Sequence, residues 1–327
     1  MKLPVKKEYL ALMMVIAALS LYLVYHNPNR TGYRLPEIKN ISGADITRIE
    51  ISKPGAGAVL NKTDNRWTVR EKYAADADKV QNMLNTLGNL TLTALVSESG
   101  QYDRYDLTAD KKITVKAWSG DKLLLELDLG KPAPSYRHTF VKLAGDDRVY
   151  HARENLRNIF DQNPDNLRDK TVLSFNTAEI QELHLTRDNQ SVVFTRTPAP
   201  EKALGEKTPP AQDPPGPAGK TAPVWQGPGG SMADQARLNG LLAALSGLKC
   251  ERFIDDRHKK DFAAPIYSLK LKGPKEHSLF IFPKAEKEST AYPAFSSDND
   301  MPFLLPDWRA DSIMPDPDQL LAKPETP

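Results

Sequence analysis

Apolar residues follow three rhythms along this 327-residue chain. The first is an unbroken run from Tyr9 to Tyr25, 17 residues without a charge. The second alternates every other position, as a half-buried strand does. The third recurs every three or four positions, as one face of a helix does.

The opening run predicts a membrane anchor. At about 1.5 Å per residue it spans roughly 25 Å, a little under a bilayer core of about 30 Å. Tyr9, Tyr22 and Tyr25 suit the two interfaces, while Leu10, Val15, Ile16, Leu19 and Leu23 supply the apolar body. Lys2, Lys6 and Lys7 precede the run and place the N-terminus in the cytoplasm. The segment ends Leu-Tyr-Leu-Val-Tyr-His-Asn-Pro, with no small-x-small site and no lipobox cysteine, so an uncleaved anchor is expected. The implied location is a single-pass inner-membrane protein with its remaining mass periplasmic, and the bilayer as its first partner.

The other two rhythms occur twice. Ala75-Asp76-Ala77-Asp78 through Leu90 aligns without gaps on Ala233-Asp234-Gln235-Ala236 through Leu248, and Trp67 falls on Trp225 at the same offset of 158 residues. Asp76 and Asp234 are expected helix N-caps. Val80, Met83, Leu84, Leu87 and Leu90 draw one apolar stripe, and Leu238, Leu241, Leu242, Leu245 and Leu248 draw its copy. Alternating segments precede each helix, at Ile46 to Ile51 and Ile180 to Thr186, then Ala58 to Lys62 and Ser191 to Arg196. Others follow it, at Ile113 to Trp118, Leu123 to Leu129, Tyr267 to Lys272 and Ser278 to Phe282. Ser119-Gly120-Asp121 and Gly145-Asp146-Asp147 mark hairpin turns.

The fold expected is α+β: an N-terminal transmembrane helix, then two tandem duplicated modules. Each module would be a mostly antiparallel sheet with one main helix packed on one face. The boundaries drawn are a cytoplasmic tail at 1–8, an anchor at 9–25, a juxtamembrane linker at 26–43, modules at 44–173 and 174–322, and a tail at 323–327. Residues 198–223 of the second module, rich in Pro, Ala, Lys and Gly, are expected to form an extended loop. Trp67, Leu84 and Leu87 are expected core residues of the first module, and Trp225, Leu242 and Leu245 of the second.

Charge narrows the function classes. Lys and Arg number 44 against 42 Asp and Glu, a net charge of +2. No basic stripe is present, which argues against a nucleic-acid partner. Cys250 is the single cysteine and forms no internal disulfide.

Motifs with catalytic spelling do not assemble into sites. Gly219-Lys220-Thr221 ends like a phosphate loop, but Pro214 stands where a glycine is required. Ser246-Gly247-Leu248-Lys249 and Ser297-Asp298-Asn299 have the spacing of penicillin-binding motifs, yet no Lys-Thr-Gly follows. The six histidines lack metal-binding spacing, although His138 and His151 would face each other across a hairpin. Tyr102, Tyr105, Tyr136 and Tyr150 could line a ligand patch. No catalytic residue, cofactor or metal is expected.

The order of these features resembles a known family. A strand with Ile-x-Ile leads to a hairpin ending in Trp67 and then to Tyr73-Ala74-Ala75-Asp76-Ala77-Asp78-Lys79-Val80-Gln81. Tyr105-Asp106-Leu107, Leu129-Gly130-Lys131 and Asp147-Arg148-Val149-Tyr150 follow, closing on Leu167-Arg168-Asp169-Lys170. This is similar to the bacterial family called domain of unknown function 4340, over roughly residues 40 to 175. The resemblance implies a single-anchor envelope protein, often encoded beside ATP-binding-cassette transporter components and gliding-motility auxiliary proteins. It carries no established catalytic residues. The expected function is a non-enzymatic accessory or scaffold subunit with a membrane-protein partner in a transporter-type complex. The alternatives are an envelope hydrolase or transferase using Ser246, and a ligand-binding module using a cleft between the repeats.

Overall fold

Alternating residues become antiparallel strands wherever one side of a strand has a core to meet. The structure, a computed structural model, describes residues 7–25, 33–38, 41–188, 190–197, 223–286 and 288–322. It divides into two units, Met1–Arg168 and Asp169–Pro327.

The first unit contains α1 (Lys7–Tyr25), β1 (Arg48–Lys53), β2 (Ala56–Thr63), β3 (Arg66–Val69), β4 (Tyr73–Ala74), α2 (Ala77–Gly88) and β5 (Leu92–Ser97). It continues with β6 (Ile113–Ser119), β7 (Lys122–Pro132), β8 (His138–Leu143), β9 (Val149–Arg153) and α3 (Leu156–Phe160). Nine strands form one sheet in the order β4-β3-β2-β1-β6-β7-β8-β9-β5. Ile49 of β1 pairs with Leu60 of β2 and Ala117 of β6, so one face of three neighbouring strands is apolar. Against that face α2 buries Val80, Met83, Leu84 and Leu87, each contributing about 1.5–3 kcal/mol of burial. Gly120, at φ +55°, makes the tight turn from β6 to β7 that a side chain would strain.

Asp76 caps α2, its Oδ1 accepting from the N–H groups of Asp78 and Lys79, both at 3.1 Å. Asp76→Ala should destabilise the first unit by about 1 kcal/mol in chemical denaturation. Asp76→Asn, which keeps the acceptor, should cost a few tenths.

The second unit contains β10 (Thr171–Ser174), β11 (Glu182–Arg187), β12 (Gln190–Thr197), β13 (Val224–Gln226), α4 (Gln235–Leu245), β14 (Gly247–Lys249) and β15 (Arg252–Phe253). Next come β16 (Tyr267–Lys272), β17 (His277–Ile281), β18 (Ala291–Ser296), β19 (Phe303–Pro306) and α5 (Asp307–Ile313). Eight strands run in the order β13-β12-β11-β16-β17-β18-β19-β15, and β10 pairs separately with β14. Thr171 to Leu173, assigned above to the first module, thus pair inside the second unit.

Local details recur between the units. Lys62 pairs with Trp67 across β2 and β3, and Arg196 pairs with Trp225 across β12 and β13. Asp234 caps α4 by accepting from Arg237 N–H at 3.0 Å. The N–H groups of Asp76 and Asp234 donate to Leu167 O and Leu320 O, both at 2.8 Å. Leu238, Leu241, Leu242 and Leu245 are the buried stripe of α4. One difference concerns the tryptophans. Trp225 is 1% exposed, whereas Trp67 is only partly buried. Trp225 is part of the second unit's core cluster, and the Gln235 side chain also holds its main chain, accepting from the backbone N–H at 2.8 Å and donating to the backbone C=O at 2.7 Å. The aligned position on α2 is Ala77, which has no such reach.

Two expectations are corrected. The chain is mostly antiparallel sheet with few helices, because period-two segments far outnumber the two helical stripes. In addition, no helix among the described residues is long and apolar enough to cross a membrane. Although α1 has 19 residues, it opens on Lys7 and Glu8, leaving an uncharged stretch of about 25 Å against a core of about 30 Å. The anchor assigned to Tyr9, Leu10, Val15, Ile16, Leu19, Tyr22, Leu23 and Tyr25 is therefore not supported. Neither is the inner-membrane location with a cytoplasmic N-terminus and a periplasmic body. Within α1, Tyr9 and residues 11–22 are exposed. Lys2, Lys6, the loop at 198–222 and its Gly219-Lys220-Thr221 lie outside the described residues.

Candidate functional site

Two adjoining features of the first unit offer unspent binding groups. The first is β5, the last strand of the nine-stranded sheet. Its sequence, Leu-Thr-Ala-Leu-Val-Ser, carries no charge and no proline. Its inner side pairs with β9 through two register shifts, and among the described residues no strand pairs on its outer side. Leu92 is buried, Leu95 packs on the main core, and Val96 packs on a smaller cluster around Phe140. Thr93 is exposed. The remaining edge strands are shorter: β4 and β15 have two residues each, β13 and β14 three, and β10 four. Edge strands usually carry charges or prolines that discourage pairing with another chain, and β5 has neither.

The second feature is a groove at the C-terminal end of α2, just before β5. One depression of about 150 Å³ is lined by Asn82, Asn85, Thr86, Asn89, Arg153 and Glu154, among others. A second, of about 470 Å³, shares Asn89, Leu90, Arg153 and Glu154 with it. Helical spacing brings the amides together: Asn82, Asn85 and Asn89 lie on successive turns of the face opposite Met83 and Leu87. The Asn85 Oδ1 accepts from Gln81 Nε2 at 2.8 Å, and Asn89 Nδ2 donates to Asn85 O at 2.9 Å. Arg153 and Glu154 are exposed and form no ion pair among the described residues. Glu154 sits at φ +75°, a strained conformation for a side-chain-bearing residue. Its backbone is held there by Glu154 N–H donating to Arg137 O at 2.7 Å and Thr139 Oγ1 donating to Glu154 O at 2.9 Å.

The groups singled out for chemistry are placed elsewhere. His138 and His151 stack with ring centroids 5.5 Å apart, and His151 also meets Phe140 at 4.7 Å. Burial, reinforced by His138, lowers the His151 pKa. No group of three or more possible metal ligands occurs among the described residues. Of the four tyrosines, Tyr102 and Tyr105 pack on the one small cluster of Phe140 and Val149. Tyr150 is buried, with its hydroxyl donating to Asp146 at 2.7 Å, while Tyr102 donates to Asp147 O at 3.0 Å. Tyr105 packs on Phe140 at 4.9 Å, and Tyr136 is 73% exposed. Ser246 is the C-cap of α4, with its hydroxyl donating to Ala243 O at 3.1 Å, and Lys249 is exposed on β14. Cys250 is buried in the core of the second unit.

Asp298, from the Ser-Asp-Asn spelling, is the centre of a polar knot. It accepts from His277 Nδ1 at 2.8 Å, Lys275 Nζ at 3.1 Å, Ser297 Oγ at 3.2 Å and Ser174 N–H at 3.2 Å. Burial pushes its carboxyl up, but the bonds from Ser174 N–H, His277 and Lys275 outweigh that and hold it below the usual carboxylate range. Ser297 Oγ also accepts from Ser278 N–H at 2.9 Å, so this serine bonds to the acid and the backbone. The knot joins β10 to the strands β17 and β18.

Asp76 and Asp234 are helix caps and Leu84, Leu87, Leu242, Leu245 and Trp225 are buried, while the groove amides were not among the expected residues. Their signal lay in the repeat alignment: Asn82, Asn85 and Asn89 face Gly240, Ala243 and Gly247.

No curated protein and no solved structure matches the chain. One family model does, over residues 67–268, reaching from the β3 tryptophan across the joint into β16. The chain therefore belongs to the family described as a domain of unknown function, DUF4340.

Proposed function

We propose that this protein is a non-catalytic binding subunit that adds a partner's extended strand to β5. The observation that carries the reading is the uncharged, six-residue β5 closing a nine-stranded sheet without a covering strand among the described residues. Main-chain N–H and C=O groups along such an edge bind any extended segment that presents its own, and side chains on alternate positions select among them. An accessory or scaffold role in a larger assembly follows, and the transporter-type complex is the class to test first.

The test places a photo-crosslinking amino acid at Thr93 of the full chain in its native cells. A discrete protein adduct is expected, and the second-site change Ala94→Lys should reduce it several-fold. Failure to form an adduct, or an adduct indifferent to Ala94→Lys, would overturn the reading.

A further inference from the structure

The two units provide an internal control for the groove beside α2. Aligned on their caps, α2 and α4 keep apolar residues at Leu84 and Leu242, at Leu87 and Leu245, and at Leu90 and Leu248. Leu84 and Leu87 bury α2, and Leu242 and Leu245 bury α4, while Leu90 follows α2 and Leu248 lies on β14. The groove-facing positions differ systematically. Asn82, Asn85, Thr86 and Asn89 of the first unit stand where the second has Gly240, Ala243, Ala244 and Gly247. The helix-on-sheet packing is therefore built equally well without the amides. Asparagine is also a poorer helix former than alanine, so Asn82 and Asn85 serve α2 less well than alanine would. Asn85 pairs with Gln81 and Asn89 closes the helix at its C-cap, whereas Asn82 has no such bond among the described residues.

From this contrast we infer that the groove binds an extended peptide through its main chain. A primary amide offers the N–H donors and C=O acceptor of a peptide group: Asn82 has both free among the described residues, Asn85 keeps its Nδ2 donors, and Asn89 keeps its Oδ1 and a second N–H. Between Asn82 and Asn89 lie two helical turns, about 10 Å, which matches three residues of extended chain. Leu90 adds an apolar lining residue, and Arg153 and Glu154 line both depressions, exposed and without an ion pair among the described residues. A zwitterionic end suits a dipolar chain and disfavours a polyanion, since Glu154 offsets Arg153. A saccharide would find no aromatic ring among the lining residues on which to stack its C–H face.

The inference shares with the β5 reading only the expectation of a protein partner, and it stands on a different set of residues. A random dodecapeptide display library selected on the full chain tests it. Enriched peptides should bind Asn82→Ala/Asn85→Ala at least ten-fold more weakly than the parent, as expected when two or more hydrogen bonds are lost. Binding to Thr93→Lys, which alters β5, should be unchanged. Both groove substitutions raise helix propensity, so the variant should stay folded, as an unchanged circular dichroism spectrum would show. Three results would overturn the inference. They are no enrichment, equal binding to parent and groove variant, or peptides lost on Thr93→Lys but retained by the groove variant. The last would leave the β5 reading standing by itself.

Discussion

Asp298→Ala is expected to destabilise the second unit by about 3 kcal/mol, because it leaves His277 buried beside Lys275 without their shared acceptor. The side chains of Asp298 and His277 are 11% and 8% exposed, so solvent can do little to replace the lost partner. Asp298→Asn should cost less, since an amide oxygen still accepts from Ser174 N–H. Hydrogen exchange at β10, β17 and β18 is the appropriate measurement, because a two-unit chain need not unfold in one step. Loss of protection is expected to be largest in these strands, and unchanged protection there would refute the role of the knot. The pH dependence follows from the lowered carboxyl. A folded pKa below the unfolded one stabilises wherever the unfolded chain is ionised. That contribution is therefore complete above about pH 4 and fades as pH falls through the folded value. In Asp298→Asn this acid-side loss should disappear.

Trp225→Ala should cost about 3–5 kcal/mol, whereas the matching Trp67→Ala should cost about 1–2. Both residues occupy the same register on the third strand of their sheets. Trp225 is fully enclosed and its backbone is clasped by Gln235, while Trp67 keeps part of its surface in solvent. Urea titration of each single variant measures the contrast. Equal costs would mean that the fuller enclosure of the Trp225 ring adds nothing.

Periodicity made strands and helices legible at different depths. The helical stripes and their aspartate caps could be read because capping and burial are local demands, met within one turn of chain. Strand existence was also legible, but sheet order was not. Pairing β9 with β5 joins segments more than fifty residues apart, and no local pattern records which edge a strand will join. The apolar run of α1 was misread because its uncharged stretch, which follows Lys7 and Glu8 at the helix start, is too short for a span. The groove escaped for a different reason. Repeats draw attention to coincidences such as Leu84 with Leu242, whereas the binding chemistry sits in the mismatch of Asn82 and Asn85 with Gly240 and Ala243. The Asp298 knot lies in a Ser-Asp-Asn spelling from which no catalytic site was expected, and the spelling did not foretell its structural bonds to Ser174, Lys275 and His277. Its serine donates to the acid and leaves the imidazole to the same carboxylate.

The pairing of β10 with β14 has a consequence during synthesis. Every strand of the first sheet has emerged from the ribosome before β10 appears. Leu173 of β10 must then wait some 75 residues for Leu248, its partner on β14. At about 5–20 residues per second this delay lasts roughly 4–15 s. Throughout it Val172 and Leu173, both at most 1% exposed in the finished fold, have no core to enter. The nascent chain therefore carries a short, sticky strand directly behind a completed sheet, and this is the interval in which a chaperone would find it.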